Sequence, residues 1–132
     1  MKKVIIILAL LLCSTAVTYS QDLRNERFPF GRIESNGDIR LHGSIKGRFE
    51  QNGDIRVEGS IQGRIENNGD IRKGGSIIGR VENNGDVRIN GSIQGRIESN
   101  GDIRKNGSII GSAKGVNPKI AAVVFFFDFY TY

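Results

Sequence analysis

Gly47-Arg48-Phe49-Glu50-Gln51-Asn52-Gly53-Asp54-Ile55-Arg56-Val57-Glu58-Gly59-Ser60-Ile61-Gln62 is one of five contiguous sixteen-residue units running from Gly31 to Ile110. The units begin at Gly31, Gly47, Gly63, Gly79 and Gly95. A fixed period of this kind means that each unit is one supersecondary piece that cannot bury its apolar face alone. Counted from the leading glycine, apolar residues fall at positions 3, 9 and 15, here Phe49, Ile55 and Ile61. All spacings are even, so a period of two gathers them on one face. Arg48, Glu50, Asp54, Arg56 and Ser60 take the opposite parity. Glycine at positions 1, 7 and 13, beside β-branched isoleucine, argues against helix in the units.

Turn chemistry divides each unit. A three-residue loop over Gln51-Asn52-Gly53 sets Phe49 opposite Ile55, with glycine where a type I turn plus bulge needs a left-handed residue. The same construction at Val57-Glu58-Gly59 sets Ile55 opposite Ile61. The expected fold is all-β: five β-hairpin repeats (31–46, 47–62, 63–78, 79–94, 95–110) in a closed antiparallel meander with pseudo-five-fold symmetry. Closure hides the apolar face and removes free edges. The inward glycines Gly47, Gly63, Gly79 and Gly95 would let another segment approach closely. The rival is a parallel β-solenoid of sixteen-residue coils.

After a partial unit from Gly111 to Lys114, the chain ends in Lys119-Ile120-Ala121-Ala122-Val123-Val124-Phe125-Phe126-Phe127-Asp128-Phe129-Tyr130. This stretch does not alternate, so both of its sides want burial. The expectation is an apolar C-terminal strand, within 111–132, packed in or on the ring. A surface segment offering phenylalanines to a partner and a sorting or anchoring tail are the alternatives. At the other end, Lys2 and Lys3 precede the apolar run Val4–Leu12. Residues 1–20 read as a signal peptide and 21–30 as an N-terminal segment leading into the repeat domain, 31–132. The run is too short to span a bilayer. The expected location is outside the cytoplasm: periplasm, cell surface or medium.

Of the 19 Lys and Arg, Lys2 and Lys3 lie in that leader, and the other 17 face 14 acids. Basic and acidic residues alternate along the units, with no tryptophan, which excludes a nucleic-acid stripe. Ten repeat arginines match ten acids at positions 4 and 8, in rows suited to cross-strand pairing. Each Asn-Gly-Asp offers one carboxylate, too few for calcium's six to eight oxygens. His42 is the only histidine and Cys13 the only cysteine, so nucleophile–base pairs and zinc sites cannot be assembled. No enzyme, metal or cofactor is expected.

The iterated G-R-I-E-x-N-G-D-I-R-x-x-G-S-I-x unit, between the leader and the Ala-Ala-Val-Val-Phe-Phe-Phe tail, resembles the small secreted five-fold β-flower proteins of Gram-negative bacteria. The resemblance implies a pseudo-five-fold set of hairpin petals and carries no catalytic residues. The resulting expectation is an exported structural or protein-interaction scaffold, with a multivalent carbohydrate-binding module as the alternative. Candidate contacts to a glycan or cell-envelope protein are Arg40, Arg56, Arg72, Arg88 and Arg104, with Phe28 and Phe30.

Overall fold

The computed structural model describes residues 22–25 and 29–130. Twelve strands close into an antiparallel barrel in the order β1-β12-β11-β10-β9-β8-β7-β6-β5-β4-β3-β2. They are β1 (Asp22–Asn25), β2 (Pro29–Ile33), β3 (Asp38–Leu41), β4 (Ser44–Phe49), β5 (Asp54–Val57), β6 (Ser60–Ile65), β7 (Asp70–Lys73), β8 (Ser76–Val81), β9 (Asp86–Ile89), β10 (Ser92–Ile97), β11 (Asp102–Lys105) and β12 (Ser108–Ser112). Every strand neighbour within the repeats is also a chain neighbour, so the architecture is a meander and not a parallel solenoid.

The three-residue loop is built as its chemistry dictates. Phe49 stands opposite Ile55, the Glu50 amide donates to the Asp54 carbonyl at 2.9 Å, and the Gly53 amide donates to the Glu50 carbonyl at 3.0 Å. Gly53 takes φ 99°, a value at which a side chain would be strained. The second turn differs from expectation. It is a two-residue loop, Glu58-Gly59, with Val57 opposite Ser60 and left-handed φ of 51° and 93°, the type I′ pattern. Asparagine supplies the first of these left-handed residues at Asn90 and Asn106.

A bulge makes that tighter loop compatible with the sheet. Ile55 faces Gly63, but Arg56 faces Ile61, so Gln62 is an extra residue and the alternation of the strand reverses across it. Position 15 is thereby turned outward: Ile45, Ile61, Ile77, Ile93 and Ile109 are 45–52 % exposed. This corrects the expectation that three apolar positions per unit point inward. Position 9 is the true centre, with Ile39, Ile55, Ile71, Val87 and Ile103 fully buried. Position 11 joins it where it is apolar, as at buried Leu41 and half-buried Val57 and Ile89.

Five-fold symmetry is also corrected. Asp22 faces Arg32, Leu23 faces Gly31 and Arg24 faces Pro29, the register that Asp38, Ile39 and Arg40 keep with Arg48, Gly47 and Ile45. Asp22 lies sixteen residues before Asp38. β1 and β2 therefore pair as a sixth hairpin, degenerate in sequence. Counting from the glycine at Gly31 split that unit across the two chain ends.

The tail enters the barrel as a helix, α1 (Pro118–Phe126), and not as a strand. Asn117 accepts from the Lys119 amide at 2.9 Å and Pro118 occupies the first turn, the usual start of a helix. Inside a closed sheet no strand edge is free, so only a segment that bonds its own backbone can be buried there. Ala121 to Phe125 are all buried, as expected of a helix that is apolar all round.

From the last turn of the helix onward, the aromatics meet successive hairpins. Gly111 lies under Phe125, Gly95 under Phe126, Gly79 under Phe127, Gly63 under Phe129 and Gly47 under Tyr130. A Cβ at Gly79 would sit 2.5 Å from the Phe127 ring and would also strike the Arg88 carbonyl. The inward glycines are sockets for the tail. Tyr130 also donates its hydroxyl to the Arg56 carbonyl.

Gly79→Ala should lower the unfolding free energy by about 1–3 kcal/mol through overpacking. Ile77→Ala, outward and half exposed, should stay within about 0.5 kcal/mol. Urea denaturation reads both, and a larger loss at Ile77 would mean that position 15 faces inward after all. Burial raises the Tyr130 pKa above its ordinary value near 10. Its phenol therefore supports folding fully below about pH 10 and loses that support as pH rises toward the folded value. Stability should fall between about pH 9 and 11 more steeply in the native chain than in Tyr130→Phe.

Candidate functional site

Positions 2, 4, 8, 10 and 15 make the outer wall, repeated around the barrel. Two rows of ion pairs run over it. Within hairpins, Arg48 pairs with Asp38 at 2.7 Å, Arg64 with Asp54 at 3.3 Å, Arg80 with Asp70 at 3.8 Å and Arg96 with Asp86 at 3.5 Å. Between hairpins, Arg40 pairs with Glu34, Arg56 with Glu50 at 3.5 Å, Arg72 with Glu66 at 3.0 Å, Arg88 with Glu82 at 3.5 Å and Arg104 with Glu98 at 3.6 Å. Such partly exposed pairs contribute under about 1 kcal/mol each, so their value lies in holding register.

The five candidate contact arginines are brought to one level of this wall, and each has a second structural partner. Arg56 donates to the Gly59 carbonyl at 3.0 Å, Arg72 to Gly75 at 2.9 Å, Arg88 to Gly91 at 3.1 Å and Arg104 to Gly107 at 3.1 Å. Arg40 reaches Gly43 at 3.4 Å. Each guanidinium thus ties a carboxylate of the preceding turn to the carbonyl of its own hairpin loop. Phe30 is 3 % exposed and stands edge-on to Phe125 at 5.6 Å, inside the core. Phe28 and the leader 1–20 lie outside the described residues.

Between these rows the wall forms open grooves. One of about 450 Å³ is bounded by Asp38, Ile45, Arg48, Glu50, Arg56 and Glu58. The equivalent groove three hairpins on is bounded by Asp86, Ile93, Arg96 and Arg104. Each presents a half-exposed isoleucine framed by neutralised charges, a combination suited to contact with another protein surface. Sequence reasoning placed these isoleucines in the core; only the bulge reveals them.

The Asn-Gly-Asp turns are self-contained. Asn52 accepts from the Asp54 amide at 3.0 Å and donates to its carboxylate at 3.2 Å. Among the described residues no cluster of three His, Cys, Asp or Glu could hold a metal ion. His42 is exposed on a hairpin loop, 6.4 Å from the Phe30 ring. No described helix is long and apolar enough to cross a membrane.

The family model for bactofilins, described as polymer-forming cytoskeletal, matches residues 39–124, from β3 into α1. That span is about two-thirds of the 132 residues, and the chain belongs to the bactofilin family. No curated protein and no solved structure matches significantly. The match overturns the resemblance to secreted β-flower proteins, which is a different family. It equally overturns the exported scaffold or lectin role and the periplasmic, surface or secreted location, since the family is cytoskeletal. The family resemblance was drawn from a glycine-punctuated sixteen-residue unit, which specifies hairpins and not a family, and the location from residues 1–20, which lie outside the described residues.

The Arg48 guanidinium bonded to Asp38 holds that carboxyl below its ordinary pKa, helped by Asn36 and opposed by desolvation. A depressed folded pKa supports folding above the ordinary value of 3.8 and loses that support as pH falls through the folded value. Arg48→Ala should move the Asp38 titration upward in carboxyl-carbon NMR. An unmoved titration would show that the pair is not formed in solution.

Proposed function

We propose that this chain is a non-enzymatic structural subunit that assembles with further copies of itself into a cytoskeletal polymer. The observation that carries the reading is the bactofilin match over residues 39–124, a family described as polymer-forming cytoskeletal. The outer wall supports it. Ile45, Ile61, Ile77, Ile93 and Ile109 recur at one height, each beside paired charges that present no single sign to a neighbour. A second copy of the chain is the partner that such a surface fits, because its alternating charges and apolar groups can be met by their own kind.

Chemistry points the same way. The acids of the wall are engaged with arginines and turn amides, and the single histidine sits alone on a loop. Nothing in that set couples a nucleophile to a base.

The full chain, purified and concentrated, should pellet on ultracentrifugation and show extended polymers by negative-stain electron microscopy. A species that stays at the 14.5 kDa of one chain across protein concentration and salt would overturn the reading.

A further inference from the structure

We infer that two copies of this chain join face to face across β12, Arg24 of each copy meeting Asp102 of the other about a two-fold axis that runs along that strand. The inference rests on the reading above that a second copy is the partner. It adds which strip of the wall that copy takes and how the two face each other.

The strip over β12 departs from the rest of the wall in both rows of ion pairs. At position 8, Asp38, Asp54, Asp70 and Asp86 each pair with the position-2 arginine of the facing strand. Asp102, their counterpart, faces Ser112 instead. At position 10, every arginine from Arg40 to Arg104 reaches a glutamate at position 4. Arg24 holds the same place on β1, sixteen residues before Arg40, but the residue at position 4 of the partial unit is Lys114. Among the described residues neither Asp102 nor Arg24 has an ion-pair partner.

These two charges flank one strand at one level. Ser112 is the direct neighbour of Asp102 on one side and of Arg24 on the other. Two strand spacings put roughly 10 Å of sheet between them, too far for a close pair within the chain. The short serine leaves the surface between them open. Beside it on the same strand stands Ile109, opposite Arg104 and 45 % exposed.

A negative group, a strand bearing an apolar side chain, and a positive group form a self-complementary patch. A half-turn about a line along β12, lying in the plane of contact, exchanges left for right. It lays Asp102 of each copy on Arg24 of the other and sets Ile109 against Ile109 at the axis. A half-turn about a line across the strand would set Asp102 on Asp102 and Arg24 on Arg24, which is repulsive. The charges therefore select one orientation. The other strips lack this pattern, because their arginines and acids are already paired within the chain. The contact is isologous, so it closes after two copies and gives a polymer no direction. It pairs subunits side by side, and elongation requires a further face.

The test puts one cysteine on the proposed axis. In a full chain carrying Cys13→Ser, Ile109→Cys should give a two-chain band on a non-reducing gel after mild oxidation, since an axis brings the two thiols within disulfide reach. Ile77→Cys, at the equivalent outward place on β8, should stay at one chain. Added to Ile109→Cys, Arg24→Asp and Asp102→Arg should each lose the band when alone. An equal mixture of those two variants should regain it, because in the mixed pair each reversed charge meets its opposite. Recovery in the mixture also shows that both variants are folded. If Ile109→Cys fails to link while the native chain polymerises, or Ile77→Cys links as readily, the strip is not the contact and the polymer reading stands without it. A mixture that fails to regain the band overturns the pairing of Arg24 with Asp102. A band from a native chain that never exceeds two copies in mass supports this contact and overturns the polymer reading. If the native chain stays at one copy and no band forms, both have failed.

Discussion

A sheet with one apolar face must hide that face, and in this protein the contact between inward glycines and a train of C-terminal aromatics makes hiding possible. A barrel of about eight strands can be filled by its own side chains. Twelve strands enclose more space than Ile, Val and Phe at positions 3 and 9 can occupy. The remainder is taken by α1 and by Phe125, Phe126, Phe127, Phe129 and Tyr130. Those rings fit because the strands beneath them lack a Cβ at Gly111, Gly95, Gly79, Gly63 and Gly47. The glycines heading the second to fifth units and the partial one, Gly47 to Gly111, and the aromatic tail are two halves of one packing solution, while Gly31 packs on Leu41.

Outside, the same period writes a different pattern. Arginine and acid alternate in two rows, one within hairpins and one between them, and each arginine of position 10 also fastens its hairpin loop through a glycine carbonyl. Individually these contacts are weak. Repeated at constant spacing, they give the directly opposed arginines of neighbouring strands, such as Arg48 and Arg56, a carboxylate each on Asp38 and Glu50. The wall that results is electrically mixed and carries exposed isoleucine at regular intervals, consistent with membership in a family of polymer-forming cytoskeletal proteins. The rows stop at Ser112 and Lys114, which stand where the units have arginine and glutamate.

Local chemistry made several features legible. The Asn-Gly turn and the need to keep Phe49 with Ile55 specified a three-residue loop, and the structure has it. Closure into an antiparallel meander followed from the apolar face, and burial of the tail from its lack of alternation. The isoleucines at position 15 were misplaced because even spacing assumes an unbroken strand. The extra residue at Gln62 and its equivalents reverses parity, and a bulge depends on how the facing strand is paired. The candidate arginines were legible as an array, but not their engagement by the turns that flank them. Phe30, grouped with them as a contact, is instead a core residue of the sixth hairpin.

Residue order alone therefore settled the first turn of each unit, the inward placement of positions 3 and 9 and the burial of the tail, because each arises from interactions within a few residues or from the apolar content of one segment. Three matters waited for the folded chain. The number of hairpins depended on β1 pairing with β12, two segments distant in the chain. The tail became a helix despite its valines and phenylalanines, since a closed sheet offers no edge to a thirteenth strand. Which isoleucines face water was decided by bulges that exist only when two strands are already in register. For the hairpin count and the helix the deciding partner lies far along the sequence and only the closed barrel brings it near; for the isoleucines it is the facing strand of the same hairpin, once that strand has paired.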